Sequence, residues 1–142
     1  MSAPAADDLA ALEARNTDVV LSYLRVFETH DIAQLGELVD PDVVGHGAGQ
    51  TARGRRVIED SVRSPGLSGC VVRVDDLFAA RDRVTVSFTL TYTRAGTGQQ
   101  LIMTGTKCYR LRDGRIVELW GETDLYGFPR QAGLVPAEFR PL

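Results

Sequence analysis

The residues whose types and spacing could do chemistry lie mainly in the last third of the chain, in Arg115-Ile116-Val117-Glu118-Leu119-Trp120-Gly121-Glu122-Thr123-Asp124. Asp113-Gly114 ahead of it is a two-residue turn signal, so the stretch reads as the second strand of a hairpin. Side chains on a strand alternate faces with a period of two, which puts Glu118, Trp120, Glu122 and Asp124 on one side and Val117, Leu119, Gly121 and Thr123 on the other. A ring followed by two carboxyls on one face reads as the wall of a pocket. A carboxyl desolvated among apolar neighbours has its pKa raised, and can then take or give a proton near neutrality. Glu122 reads equally as a charge on a solvated rim. The second chemical stretch is Gly45-His46-Gly47, a glycine-rich loop whose imidazole could shuttle a proton or bond a carboxylate across the pocket. Trp120 would stack on a flat substrate. Tyr92 and Tyr109 would orient a carbonyl, although both also suit core packing. Lys107, the chain's only lysine, interrupts an apolar strand. It reads as snorkelling to solvent on the outer sheet face, with a cation inside the pocket as the other option.

The elements that must position these residues follow from the patterning. Leu9, Leu12, Val19, Val20, Tyr23, Leu24 and Phe27 recur mostly at three- and four-residue intervals, one face of a long amphipathic helix with room for a restart at Asn16-Thr17-Asp18. Ile32, Leu35, Leu38 and Val39 give a short second helix N-capped by Asp31, which Asp40-Pro41-Asp42 breaks. Val43-Val44 forms a short strand entering the Gly45–Gln50 loop. A third helix runs from about Arg55 to Val62 and is ended by Pro65-Gly66. Four strands follow, Cys70–Ala79, Arg83–Arg94, Gln99–Arg112 and Arg115–Asp124, and then an irregular tail. Helices first and an antiparallel run after them indicate an α+β fold rather than βαβ units. Residues 1–15 read as a flexible leader and helix start, and residues 16–142 as a single α+β barrel domain.

With 142 residues and a net charge of −3, the chain suits one globular domain with a real core. The absence of a basic patch argues against nucleic acid, and no stretch has the roughly 20 apolar residues of a membrane span. The start lacks the basic and apolar regions of a secretory signal, so a cytoplasmic protein is expected. Cys70 and Cys108 match no zinc spacing and read as reduced core thiols; no metal site is expected.

Taken together, several segments resemble SnoaL-like polyketide cyclases: Leu38-Val39-Asp40-Pro41-Asp42-Val43-Val44-Gly45-His46, Tyr109-Arg110-Leu111-Arg112-Asp113-Gly114-Arg115-Ile116-Val117-Glu118, the following Trp120-x-x-x-Asp124, and the tail Arg130-Gln131-Ala132-Gly133-Leu134-Val135-Pro136. The resemblance spans about Val19 to Pro136. It implies the cone-shaped fold of the nuclear-transport-factor and ketosteroid-isomerase superfamily, a curved mixed or antiparallel sheet wrapped around three N-terminal helices and enclosing an apolar pocket. It also implies cofactor-free acid/base catalysis in secondary metabolism, such as aldol-type ring closure of a polyketide-like substrate, in a homodimer paired through the outer sheet face. On that basis Asp124 is expected as the general acid/base, His46 and Glu122 as its assistants, and Trp120, Tyr92 and Tyr109 as substrate-binding residues. Glu122 also stands where epoxide-hydrolase relatives carry an acid. Those relatives pair it with Arg-x-Asp on a neighbouring strand, and neither Arg83–Arg94 nor Gln99–Arg112 contains one. Isomerase, hydratase or epoxide-hydrolase chemistry and non-catalytic ligand binding remain the alternatives on this fold.

Overall fold

The amphipathic periodicity of the first thirty residues produces one continuous helix, α1 (Ala6–Thr29), which buries Val20, Tyr23, Leu24 and Val26. The computed structural model describes residues 5–64, 66–136, 138 and 139. No restart occurs at Asn16, because that side chain has another partner: it is buried, and its Nδ2 donates to the Arg81 carbonyl at 3.3 Å. Glu13 accepts from the Arg81 amide at 3.0 Å, so one turn of α1 is tied to the far end of the sheet. At the helix end His30 adopts a left-handed φ of 59°, and its backbone N–H closes on Val26 O at 2.7 Å. Asp31 caps α2 (Ile32–Leu38) by accepting from the Gln34 amide at 3.1 Å.

The strands are β1 (Val39–Gly47), β2 (Gln50–Arg53), β3 (Leu67–Ala80), β4 (Arg83–Arg94), β5 (Gln100–Arg112) and β6 (Arg115–Thr123), with α3 (Arg56–Val62) between β2 and β3 and α4 (Gly127–Gln131) after β6. They form one curved, unclosed mixed sheet in the order β2-β1-β6-β5-β4-β3, in which only β1 and β6 run parallel. This is the expected α+β architecture. Two details differ from the sequence reading. The glycine-rich segment after Val44 is a β1–β2 hairpin rather than a loop, turned by Ala48 (φ 50°) and Gly49 (φ 73°), so His46 sits on a strand. Pro41 is accommodated inside β1 because the β1–β6 register is irregular between Val39 and Val44, where no ladder donor is required. Pro65, read as a helix stop, lies outside the described residues. Among the described residues no helix is long and apolar enough to cross a membrane.

The concave face of the sheet closes on α1 and α2 around Val20, Leu24, Leu35, Val39, Val84, Val86, Leu111 and Ile116. Cys70 belongs to this core, whereas Cys108 is half-buried on the opposite, convex face; both are free thiols. The expectation of two core thiols therefore holds for Cys70 only. Cys108 pairs with Trp120, and the parity of β6 places that pair outside.

Candidate active site

The register of β5 on β6 decides what faces the interior. Tyr109 lies opposite Leu119, Lys107 opposite Gly121, and Gly105 opposite Thr123. Directly opposed residues of an antiparallel pair share a face. Tyr109 is fully buried and meets Tyr23 of α1 edge-on, with ring centroids 5.4 Å apart, so this set faces the helices. The other set, Arg110–Glu118, Cys108–Trp120 and Thr106–Glu122, faces outward.

The helix-facing side encloses a cavity of about 810 Å³. Its walls are mostly apolar, with Leu24, Phe27, Phe88, Leu90, Met103 and Leu119 among them, and its open side carries Ala48, Gln50, Asp60, Ser61 and Leu125. Few polar groups reach it from the sheet, and two of these come from β5. Tyr109 Oη is buried without a hydrogen-bond partner among the described residues, and burial pushes its pKa well above the ordinary phenol value. Lys107 reaches in two residues earlier, with its Nζ 6.0 Å from the centroid of the Phe88 ring. Among the described residues no carboxylate lies within 4.0 Å of it, and burial pulls its pKa down. Lys107 therefore does not snorkel to the outer face. Gly121 explains how it fits: a Cβ there would run into Lys107 Cγ and lie 2.9 Å from Cδ, so only glycine lets the lysine stem cross β6. Tyr92 also lines the cavity, beside the buried Cys70 thiol, and burial pushes both groups' pKa up.

The three acid/base candidates lie elsewhere or at the margin. Alternation does put Trp120 and Glu122 on one face, but that face is the convex one. Trp120 does not line the cavity. It stacks on His46 (centroids 5.3 Å, planes 16° apart) and lies under the Arg83 guanidinium at 4.9 Å. The strand pattern gives the parity but not which face is inside, and the inward place went to the Tyr109–Leu119 and Lys107–Gly121 pairs. His46 Nε2 lies 2.8 Å from Glu118 Oε2, and its Nδ1 lies 3.0 Å from Thr51 Oγ1. The His46 hydrogen bond, reinforced by Arg110 at 3.0 Å, holds the Glu118 carboxyl below its usual range, so Glu118 is an acceptor at neutral pH. The imidazole therefore donates from Nε2 to Glu118, and Nδ1 is engaged by the Thr51 hydroxyl. Both ring nitrogens are engaged, and His46 meets the cavity only along its rim.

Glu122 lies on the same rim, exposed, with Oε2 accepting from the Ala48 amide at 3.3 Å. Asp124 follows the end of β6. Its Oδ1 accepts from the Gly127 amide at 2.6 Å, where it secures the turn into α4, and it borders a shallow outer groove with Asp75, Thr104, Thr106 and Glu122 rather than the cavity. Because Asp124 holds the segment that carries Leu125 to the open side of the cavity, Asp124→Ala should cost about 1 kcal/mol of stability in urea unfolding. Asp124→Asn, which keeps an accepting oxygen, should cost less than half of that.

Lys107 is the residue that sequence reading misplaced; the available signal was Gly121 facing it across the hairpin, legible only once the register was known. An Arg-x-Asp also exists where it was not sought, Arg73-Val74-Asp75 on β3. Arg73 Nε meets Asp75 Oδ1 at 2.6 Å and Thr89 Oγ1 donates to Asp75 Oδ2 at 2.6 Å, a self-contained cluster outside the cavity lining.

In a comparison across known proteins, the model of the SnoaL-like domain family matches residues 20–119. The chain belongs to the SnoaL-like family. No curated protein matches this SnoaL-like chain in sequence. Among solved structures it is similar to AclR of Streptomyces galilaeus, provisionally assigned as a hydroxylase, with a TM-score of 0.78 at 20% identity over 87% of this chain and 88% of that one. It is similar also to IdmH of Streptomyces antibioticus, provisionally assigned as a polyketide cyclase, with a TM-score of 0.74 at 24% identity over 83% and 98%. An LEH-like epoxide hydrolase from M. tuberculosis gives 0.71 at 16% identity over 84% and 90%. Likeness at these identities shows the shared fold, found in proteins assigned as a hydroxylase, a polyketide cyclase and an epoxide hydrolase, and not one reaction.

Proposed function

We propose that this SnoaL-like protein is a cofactor-free enzyme of secondary metabolism that performs carbon-acid chemistry, of the kind that closes polyketide rings, on an apolar ketone or aldehyde. The observation that supports this reading is the pair Lys107 and Tyr109 in a mostly apolar wall: among the described residues no carboxylate lies within 4.0 Å of the lysine, and the tyrosine hydroxyl has no hydrogen-bond partner. Residues i and i+2 of one strand stand roughly 6–7 Å apart on the same face. They can thus meet one oxygenated ligand together. An apolar ligand carrying carbonyl oxygens satisfies both groups. Donors aimed at an oxygen where enolate charge develops lower the barrier to removing the neighbouring C–H proton.

In this reading Glu122 takes that proton. Of the three candidates it is the one on the cavity rim whose carboxylate is not committed to another side chain. His46 and Asp124 act as positioning residues, His46 by fixing the β1–β6 rim beside Trp120 and Asp124 by fixing the turn into α4. Tyr92 shapes the far wall. Epoxide opening draws no support from the geometry, since the Arg73–Asp75 pair faces away from the cavity.

The test is solvent exchange of the α-protons of 2-tetralone in D2O, followed by NMR. The wild-type chain should accelerate exchange over buffer, and Glu122→Gln should lower that acceleration by about 10²-fold. No acceleration at all, with 2-tetralone retained by the protein in native mass spectrometry, would favour a non-catalytic pocket. The chain is also expected to pair as a homodimer through the convex face, where Thr85 and Ser87 offer a flat, small-residue surface. A single monomer mass in sedimentation at micromolar concentration would sink that expectation.

A further inference from the structure

Fifteen of the sixteen basic residues of this chain are arginines, and the single lysine is the one basic side chain among the residues of β4, β5 and β6 that line the cavity. An arginine does not condense with carbonyl compounds under these conditions, whereas a lysine amine does. We propose that Lys107 is a covalent catalytic residue, its Nζ condensing with the carbonyl carbon of an aldehyde or ketone held in the cavity to form an iminium ion. This rests on the carbonyl-substrate reading above and deepens it.

Three features of the site carry the inference. The lysine stem is laid across Gly121, where a Cβ would collide with it, so the stem runs along the helix-facing side of the sheet and carries the amine to the cavity. The amine has no carboxylate partner among the described residues, and its nearest cationic stabilisation is the Phe88 ring at 6.0 Å. An ammonium so placed is poorly compensated, so burial favours the neutral amine that attacks carbonyls. Finally, Tyr109 Oη, two residues along the same face, is a hydroxyl with no hydrogen-bond partner among the described residues.

The chemistry balances with one proton drawn from solvent. The neutral Nζ lone pair forms a bond to the carbonyl carbon, and the C=O π pair moves to oxygen. That oxygen takes a proton, giving a carbinolamine as nitrogen releases one. A second proton, taken from solvent through the open side of the cavity, lets the oxygen leave as water, and the nitrogen lone pair forms the C=N⁺ bond. Tyr109 is placed to hydrogen-bond the departing oxygen. The iminium ion acidifies the adjacent C–H bond more strongly than the carbonyl did, and loss of that proton gives a neutral enamine, a carbon nucleophile for ring closure. Hydrolysis by one water afterwards returns the carbonyl and the free amine, with no net oxidation or reduction.

The experiment is reductive trapping of the folded chain with 1-naphthaldehyde and sodium cyanoborohydride at neutral pH, read by intact mass and peptide mapping. A single adduct is expected at Lys107, with a mass gain equal to the aldehyde less one oxygen. It should form at least about tenfold faster than on the same lysine in the urea-unfolded chain. Lys107→Arg, which keeps the charge, should show no such adduct. Labelling confined to the chain's amino terminus, or no faster at Lys107 folded than unfolded, overturns the proposal, and this comparison needs only the wild-type chain. If Lys107 is not trapped while wild type and Lys107→Arg both accelerate 2-tetralone exchange, the iminium is wrong and the carbon-acid reading stands. If neither trapping nor exchange is seen, both fall.

Discussion

Lys107→Met should reduce turnover on an accepted carbonyl substrate by about 10²- to 10⁴-fold while making the fold more stable, two effects of opposite sign from one substitution. The activity loss follows from removing the one amine in the cavity. The stability gain follows because methionine matches the length of the lysine stem, can cross Gly121 in the same way, and leaves no amine to desolvate between Phe88 and Tyr109. Relief of an unpaired buried polar group is worth about 1–3 kcal/mol. The pH dependence separates this from simple repacking. Burial lowers the folded-state pKa of Lys107, so between that value and about 10.4 the unfolded chain binds more protons than the folded one. Wild-type stability should therefore rise with pH across that window, and Lys107→Met should flatten the rise. Urea midpoints measured at several pH values give both quantities. A variant that loses stability at every pH would show that the amine has a structural partner, and would remove the basis for its chemistry.

How much of this was legible in the sequence depends on which physical rule each feature obeys. Period-two alternation is local, so β4 was delimited to the residue at Arg83–Arg94 and the faces of β6 were sorted correctly from Glu118 to Thr123. Turn chemistry is local too: Asp113 (φ 52°) and Gly114 (φ 75°) make the predicted hairpin. Which face of a strand turns inward is not local. The patterns at Trp120-Gly121-Glu122 and at Lys107-Cys108-Tyr109 are each ambiguous alone, and register resolves them together by setting Lys107 against Gly121 and Tyr109 against Leu119. An aromatic beside two acids was read as a pocket wall, yet Trp120 stands on the convex face, where it packs with His46 and Arg83. The His46 segment was misjudged for a related reason. Its glycines were taken as loop formers, but Gly47 stands where a Cβ would meet the Gly121 carbonyl, so it serves close packing of two strands.

Above about pH 10 the fold should lose stability steeply, because burial raises the folded-state pKa of Tyr23, Tyr92 and Tyr109 above the ordinary phenol value. The raised folded pKa means that these phenols stay protonated in the native chain while they ionise in the unfolded one. Their stabilisation is complete below the unfolded pKa and is lost as pH climbs from there toward the folded pKa. Each such group contributes a slope of at most about 1.4 kcal/mol per pH unit, so the three together give up to about 4 kcal/mol for each unit above 10. Lys107 opposes the trend only up to about pH 10.4, since its contribution has saturated once the unfolded lysine is neutral. Tyr109→Phe divides the effect cleanly. The Tyr109 hydroxyl has no hydrogen-bond partner among the described residues, so its removal should raise stability at about pH 8 by about 1 kcal/mol, and should lower the alkaline slope by about a third. The same hydroxyl is the proposed contact for the departing carbonyl oxygen, so the more stable variant should be the slower one in iminium formation, by about tenfold for the loss of one hydrogen bond to a reacting oxygen. Urea unfolding at about pH 8 and about pH 10.5, run beside the naphthaldehyde trapping rate, measures both sides. An unchanged trapping rate in Tyr109→Phe would leave Tyr109 as a core residue that borders the cavity, with no part in the departure of the carbonyl oxygen.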